Sequence, residues 1–140
     1  LEERGIENAL IDAGEFNAIG SPEQRDSWHI GVQHPRKLGS IAKTGLQGRC
    51  LSTSGDYASK FSDDYCHHHL LDPRTGLSPV KLSAVSVAAP TALEADSLST
   101  ALFVLGPEKA KEMAESMKGV DALFVSKSGD ITATDGFPLV

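Results

Sequence analysis

The chain holds 140 residues, 40% hydrophobic and 23% charged, which suits one packed domain and excludes a disordered tail or a repeat array. It has 13 Lys and Arg against 19 Asp and Glu, a formal charge of -6, and no basic stripe, which excludes nucleic acid as a partner. An acidic protein that binds a phosphate ligand must offset the repulsion with a metal ion, a helix N-terminus or a few placed cations.

The opening residues Leu1 to Ile6 read as the tail of a helix ending near Gly5, with no initiator Met, so further chain is expected upstream. Asn8 to Asp12 carries the apolar run of a buried strand, and Ala13-Gly14 breaks it. Ala18-Ile19-Gly20 reads as the end of a second strand. From Trp28 to Gln33, Trp28, Ile30 and Val32 alternate with His29, Gly31 and Gln33, the period of a strand with one covered face. Two short strands are expected at Gly39 to Ala42 and Gly48 to Leu51, around a turn at Thr44-Gly45. A short helix is expected to follow Ser52–Tyr57 and run through Phe61, and Cys66 to Leu71 reads as a polar strand end.

Later in the chain, Ala84 to Ala88 suits a strand. Pro90 opens a helical run through Ala92, Leu93, Ala95, Leu98, Ala101, Leu102 and Leu105 that closes at Gly106, with proline at the start and glycine past the end. Pro107 starts a second helix, roughly Glu108 to Met117. Ala122 to Val125 and Ile131 to Ala133 are strands joined through Ser128-Gly129. The fold class is therefore α+β, a largely antiparallel sheet with two adjacent helices. Cys50 and Cys66 are too few for a disulfide framework and lack zinc-site spacing, although one bridge is allowed if the protein is exported. No apolar run reaches the roughly 18 residues of a membrane span.

Three stretches can carry chemistry. Ser52-Thr53-Ser54-Gly55-Asp56-Tyr57 places small hydroxyl residues and a glycine at a turn, where free backbone N–H groups suit a phosphate or nucleotide edge. The same residues also make a plain helix N-cap, with Asp56 facing the helix dipole. In Cys66-His67-His68-His69-Leu70-Leu71-Asp72-Pro73-Arg74-Thr75-Gly76, a strand sends His67, His69 and Leu71 to one face and His68 to the other, a poor arrangement for a three-histidine metal site. The rest reads as an Asp-Pro turn closed by Gly76, in which Arg74 either binds phosphate or locks the loop to a carboxylate. One histidine beside a leaving phosphate can accept or supply a proton. In the third stretch Asp96 and Thr100 lie four apart on one helical face, offering two hard oxygens to Mg²⁺. Otherwise this is a solvated face on which Thr100 bonds back to a carbonyl one turn earlier.

In this order the stretches STSGDY, HHLLDPRTG and SVSVAAPTALEADSLSTALFVLGPEKA closely resemble the second half of the ApbE family of FAD:protein FMN transferases. The resemblance runs from GIENALIDAG to ALFVSKSGDI. It implies a T-fold-like α+β fragment, the C-terminal portion of a single ApbE-like domain whose upstream region supplies a backbone carbonyl to the metal, a lysine or similar group near the phosphates, and much of the flavin and adenine pocket. It implies Mg²⁺ held by Asp96 and Thr100, and His69 as the catalytic group at the FAD pyrophosphate. Ser54, Gly55, Tyr57, His69 and Leu71 are implied to contact the FAD.

The implied activity is Mg²⁺-dependent transfer of FMN from FAD to a Ser or Thr hydroxyl of an acceptor flavoprotein, with release of AMP. The alternatives are a Mg²⁺-dependent FAD pyrophosphatase and a non-catalytic flavin-binding fragment. The resemblance also implies a lipid anchor on the periplasmic side of the bacterial inner membrane, as is usual in full-length relatives. The chain departs from the family at Ser59, where an Arg is usual, at His67 and His68, which are additional, and at Ala13-Gly14-Glu15, where many relatives have two glycines.

Overall fold

A computed structural model describes residues 1–140, the side chain of Glu2 excepted. Eight strands are present among the described residues: β1 (Ala9–Asp12), β2 (Phe16–Ile19), β3 (Trp28–Gln33), β4 (Ser40–Leu46), β5 (Cys50–Gly55), β6 (Leu82–Ala89), β7 (Asp121–Ser126) and β8 (Ile131–Ala133). Two helices, α1 (Ala92–Leu105) and α2 (Pro107–Ser116), join β6 to β7. Six strands form one antiparallel sheet in the order β1-β2-β5-β6-β7-β8, and β3 and β4 form a separate antiparallel pair.

The sheet has covering on both faces, and β6 shows why. All eight of its residues are buried, because it is a central strand whose two faces meet different partners. Leu82, Val85, Val87 and Ala89 pack with Ala95, Leu102 and Phe103 of α1 and with Ala110 and Ala114 of α2. Ala84 and Ala88 pack with Ile30, Val32 and Leu46 of the β3–β4 pair and with Phe137. The molecule is thus a sheet between two helices and a hairpin, the expected α+β class.

Helix α1 begins as its sequence dictates. The Thr91 Oγ1 accepts from the Glu94 N–H at 3.2 Å while its hydroxyl donates to the Glu94 carboxylate at 2.8 Å, satisfying a helix-end donor. Pro90 lies outside the helix, one residue before this cap. The helix ends at Gly106, whose φ of 81° is a conformation glycine adopts without strain, and Pro107 starts α2 directly.

Several local expectations fail for physical reasons. β4 runs straight through Thr44-Gly45, where a turn was expected. Thr44 is fully buried and its hydroxyl donates to the Pro138 carbonyl at 2.9 Å, while the Gly45 N–H donates to the same carbonyl at 2.8 Å. A segment 94 residues away in sequence therefore holds this strand extended. β5 continues to Gly55, past the expected end at Leu51. No helix runs on to Phe61, because Asp56 is buried in an ion cluster and is not left at a helix N-cap. The Cys66 to Leu71 segment joins no ladder, and its one pairing is an isolated bridge between Lys60 and His68. Near the N-terminus only a 3-10 turn, Glu2–Arg4, precedes Gly5.

Candidate functional site

The site forms where β5 lies under α1. Strand side chains alternate, so Cys50, Ser52 and Ser54 of β5 face the helix while Leu51 and Thr53 face away. Residues two apart on a strand are separated by roughly 6.7 Å, and residues four apart on a helix by about 6 Å. The two periods match closely enough to pair twice. The Ser52 hydroxyl donates to the Asp96 carboxylate at 3.4 Å, and the Ser54 hydroxyl lies 2.8 Å from the Thr100 hydroxyl. Ser54 also lies 2.8 Å from the buried Ser99 hydroxyl, which donates to the Asp96 backbone carbonyl at 2.9 Å. It is Ser99, not Thr100, that bonds back along the helix. Asp96 and Thr100 are both exposed, and among the described residues Asp96 forms no ion pair.

Between β5 and β6 the chain runs from Asp56 to Lys81 without regular structure, and buried groups pin it. Asp56, fully buried, accepts from both terminal nitrogens of Arg36 at 2.7 Å and from the Lys127 ammonium at 2.6 Å. Arg36 also stacks over the Tyr65 ring at 3.8 Å, and Lys127 donates to the Tyr65 carbonyl at 2.6 Å. The Asp56 carboxylate raises the Arg36 pKa above its ordinary value. His68 is a second anchor. It is buried, meets Phe103 edge-on with ring centres 5.5 Å apart, and donates through Nε2 to the Pro79 carbonyl at 3.0 Å. Its Nδ1 has no partner, and burial lowers its pKa. The third anchor is the Asp-Pro turn, where Arg74 grips Asp72 through Nε and a terminal nitrogen at 2.7–3.2 Å and holds that carboxyl down to about 2. The guanidinium thus locks the loop and is spent on a carboxylate.

His69, next to the buried His68, is exposed. Its backbone N–H and its Nδ1 both reach the Ser59 carbonyl, at 3.0 and 3.3 Å. A carbonyl only accepts, so Nδ1 carries the proton and Nε2 presents a lone pair in the neutral ring. The alternation expected of this segment holds without a strand: His67, His69 and Leu71 are exposed while His68 and Leu70 are buried.

Two concavities lie nearby, one between the helices and the Asp-Pro loop and one against β5. A groove of about 580 Å³ on the helix side is lined by Leu71, Asp72, Arg74, Thr100, Val104 and Met113, which brings Thr100 together with the Asp-Pro loop. A narrower slot of about 360 Å³ lies on the other side, lined by Phe16, Val32, Leu51, Thr53 and Tyr57. It sits beside the stretch of β5 that β2 leaves unpaired, since β2 bonds only at Leu51 and Cys50. Of the residues singled out in sequence, Ser54 and Thr100 meet, and Leu71 shares the groove with Thr100. Tyr57 lines the slot instead, its ring over Gly55, where a Cβ would overlap it. Burial, followed by the Asp56 charge, raises the Tyr57 pKa. Cys50 and Cys66 are both free thiols, and burial raises the pKa of Cys50.

Comparison with known proteins identifies this architecture. The model of the ApbE family matches residues 1–124. The chain belongs to the ApbE family. It is 37% identical over 136 residues to the FAD:protein FMN transferase of Escherichia coli K12, covering 93% of this chain and 38% of that protein. The Treponema pallidum FAD:protein FMN transferase is 34% identical over 149 residues, covering 97% and 41%. Among solved structures, the ApbE protein of Thermotoga maritima superposes with a TM-score of 0.82 at 34% identity, over 91% of this chain and 43% of that one. The apo flavinyl transferase ApbE of Pseudomonas stutzeri gives 0.77 at 37% identity, over 96% and 43%. The chain thus spans about two fifths of the length of the curated relatives it matches.

Seen as an ApbE-family chain, one residue read from the sequence as additional acquires a physical account. His68 is a core residue that plugs the loop against Phe103. Asp96 and Thr100 suit a hard divalent cation by donor chemistry: an unpaired carboxylate and an alcohol, both at the surface, one turn apart. Among the described residues no group of three or more His, Cys, Asp or Glu is placed to hold a metal alone. Sequence reasoning placed Ser52 in a chemistry-bearing stretch without giving it a partner, and missed Ser99 and the Arg36–Asp56–Lys127 cluster. Ser99 was detectable as a hydroxyl at a buried helix position, but the cluster joins residues 20 and 71 apart and leaves no local signal.

Proposed function

We propose that the complete protein transfers FMN from FAD to a Ser or Thr hydroxyl of an acceptor flavoprotein and releases AMP. The observation that supports the proposal is the pair Asp96 and Thr100, one turn apart on α1 and each in contact with a serine of β5, with Thr100 lining the groove. This pair would hold Mg²⁺, which when bound offsets the charge of the FAD pyrophosphate and of the leaving AMP. Without an ion the carboxylate would repel a pyrophosphate, and among the described residues no Lys or Arg pairs with Asp96 to relieve that.

In the reaction the acceptor oxygen forms a bond to the FMN phosphorus, the bridging bond to AMP breaks, and the hydroxyl proton departs. His69 is suited to take that proton, because its Nδ1 is committed to the Ser59 carbonyl and its Nε2 is left as the base. Leu71, exposed in the groove beside it, offers apolar surface to a flat ring. Holding donor and acceptor in line supplies much of the acceleration in such transfers.

The test is to incubate the complete protein with FAD, Mg²⁺ and a flavoprotein acceptor domain and to weigh the acceptor by intact mass. Covalent FMN together with AMP is expected, and Asp96→Asn should lower the rate by about 10²–10³-fold. Free FMN and AMP with no adduct would make the protein a pyrophosphatase instead. Unchanged turnover in Asp96→Asn would remove the cation assignment.

A further inference from the structure

We propose that Ser54 and Ser99 orient the Thr100 hydroxyl, turning its proton inward and its lone pairs toward a bound divalent cation; this rests on reading Asp96 and Thr100 as the cation site. With the Asp96 backbone carbonyl, which can only accept, taken as a better acceptor than the Ser54 hydroxyl, the single proton of Ser99 goes to it across 2.9 Å. Ser99 therefore has nothing left to donate, and in its 2.8 Å contact with Ser54 the proton comes from Ser54. Ser54 is then spent too, and in the 2.8 Å contact with Thr100 the donor is Thr100. Three hydroxyls form a one-way chain, Thr100 to Ser54 to Ser99 to carbonyl.

Burial keeps water out of this choice: Ser99 is fully buried, so its proton has the Asp96 carbonyl and the Ser54 hydroxyl within reach, and the carbonyl is the better acceptor. An alcohol binds a cation through a lone pair and must first turn its proton aside. In Thr100 that reorientation is already made, and Thr100, like Asp96 one turn earlier on α1, is an exposed residue. Ser52 steadies the carboxylate in the same way, from the next helix-facing position of β5.

The residue choices run against local preference, which argues that the hydroxyls are retained for a purpose. Ala fits a buried helix position better than Ser, and β-branched residues fit a central strand better than Ser. A buried hydroxyl is costly unless bonded, and here each is bonded within the chain. Ser54 and Ser99 are thus positioning residues, acting through Thr100.

A matched pair of variants isolates the hydroxyl from its shape. In the complete protein without FAD, Mn²⁺ binding is titrated by electron paramagnetic resonance, with Mn²⁺ standing in for Mg²⁺, and each variant's melting is recorded. Ser54→Val should weaken binding on the order of tenfold, whereas Ser54→Thr, equally branched but bearing the hydroxyl, should stay within about twofold of the parent. Equal affinities in the two variants overturn the proposal. Ser99→Ala, which removes the buried relay with little change of volume, should lose about the same factor at unchanged melting temperature; an unchanged affinity overturns it as well. The cation reading fails separately if the parent binds no Mn²⁺, or if Asp96→Asn binds as well as the parent.

Discussion

A buried histidine with an empty acceptor makes the stability of this molecule sensitive to mild acid. His68 gives its one ring proton to the Pro79 carbonyl and keeps Nδ1 bare in the core, against Phe103. Protonating Nδ1 would bury a charge with no hydrogen-bond acceptor, so the folded state binds that proton less readily than the unfolded state, and the pKa falls below its usual 6.5. The unfolded chain then carries more protons as pH drops below about 6.5, and stability declines with pH through the window between that value and the lower folded one. Melting temperatures recorded from pH 7.5 to 5.0 should show this decline, and His68→Gln should flatten it. Asp72, held down to about 2 by Arg74, keeps its pairing until the acid is far stronger, so it leaves this window untouched. Sequence alone separated His69 from His68 by strand alternation, and exposure bears out that separation although the segment is not a strand.

Between elements, one carboxylate does the joining that hydrogen-bonded ladders do elsewhere. Asp56, just past β5, receives Arg36 from the β3–β4 connection and Lys127 from the β7–β8 turn, so three separate loops meet on a single buried charge. Removing one member of such a cluster leaves the others uncompensated, at a typical cost of about 3–5 kcal/mol; with Arg36 and Lys127 each about one-quarter exposed, about 2–3 kcal/mol is the better expectation for Asp56→Ala. Urea unfolding measures it directly, and Lys127→Met should cost less than Arg36→Met, which loses two charged contacts and the Tyr65 stack. The regular elements were legible because their signals are local: alternation gave β3, proline and glycine bracketed α1, and Ser128-Gly129 marked the last hairpin. The end of β5 was not legible. Asp56 after Gly55 looks the same in sequence whether it caps a helix or pairs with Arg36, and only a contact 20 residues back decides. The same limit hid the serines, since Ser52 and Ser54 gain meaning only when α1 is laid over them.

At the scale of the whole molecule, the sheet is clasped from both faces, and the chain's last residues complete the clasp. Phe137 is buried in the hairpin-side core, and the Pro138 carbonyl receives both the Thr44 hydroxyl and the Gly45 N–H. Thr44→Val keeps the shape of the side chain and leaves one acceptor less satisfied, so a loss of about 1 kcal/mol in unfolding free energy is expected. Hydrogen exchange should localise the change to Ser40–Leu46. If exchange rises equally across β6 and β7, the hairpin and the sheet open as one unit. The motifs DPRTG and APTALEAD carried the family resemblance because they are short and contiguous, whereas this closure depends on residues 94 apart in sequence. β5 imposes a stricter rule on change over generations. Its serines meet α1 only while their parity is kept, so one codon gained or lost between them would rotate one hydroxyl to the far face of the sheet and unseat either Asp96 or Thr100. The segment after Asp56 carries no such strand-to-helix phase, so a change of length between its buried anchors is better tolerated there than in the strand.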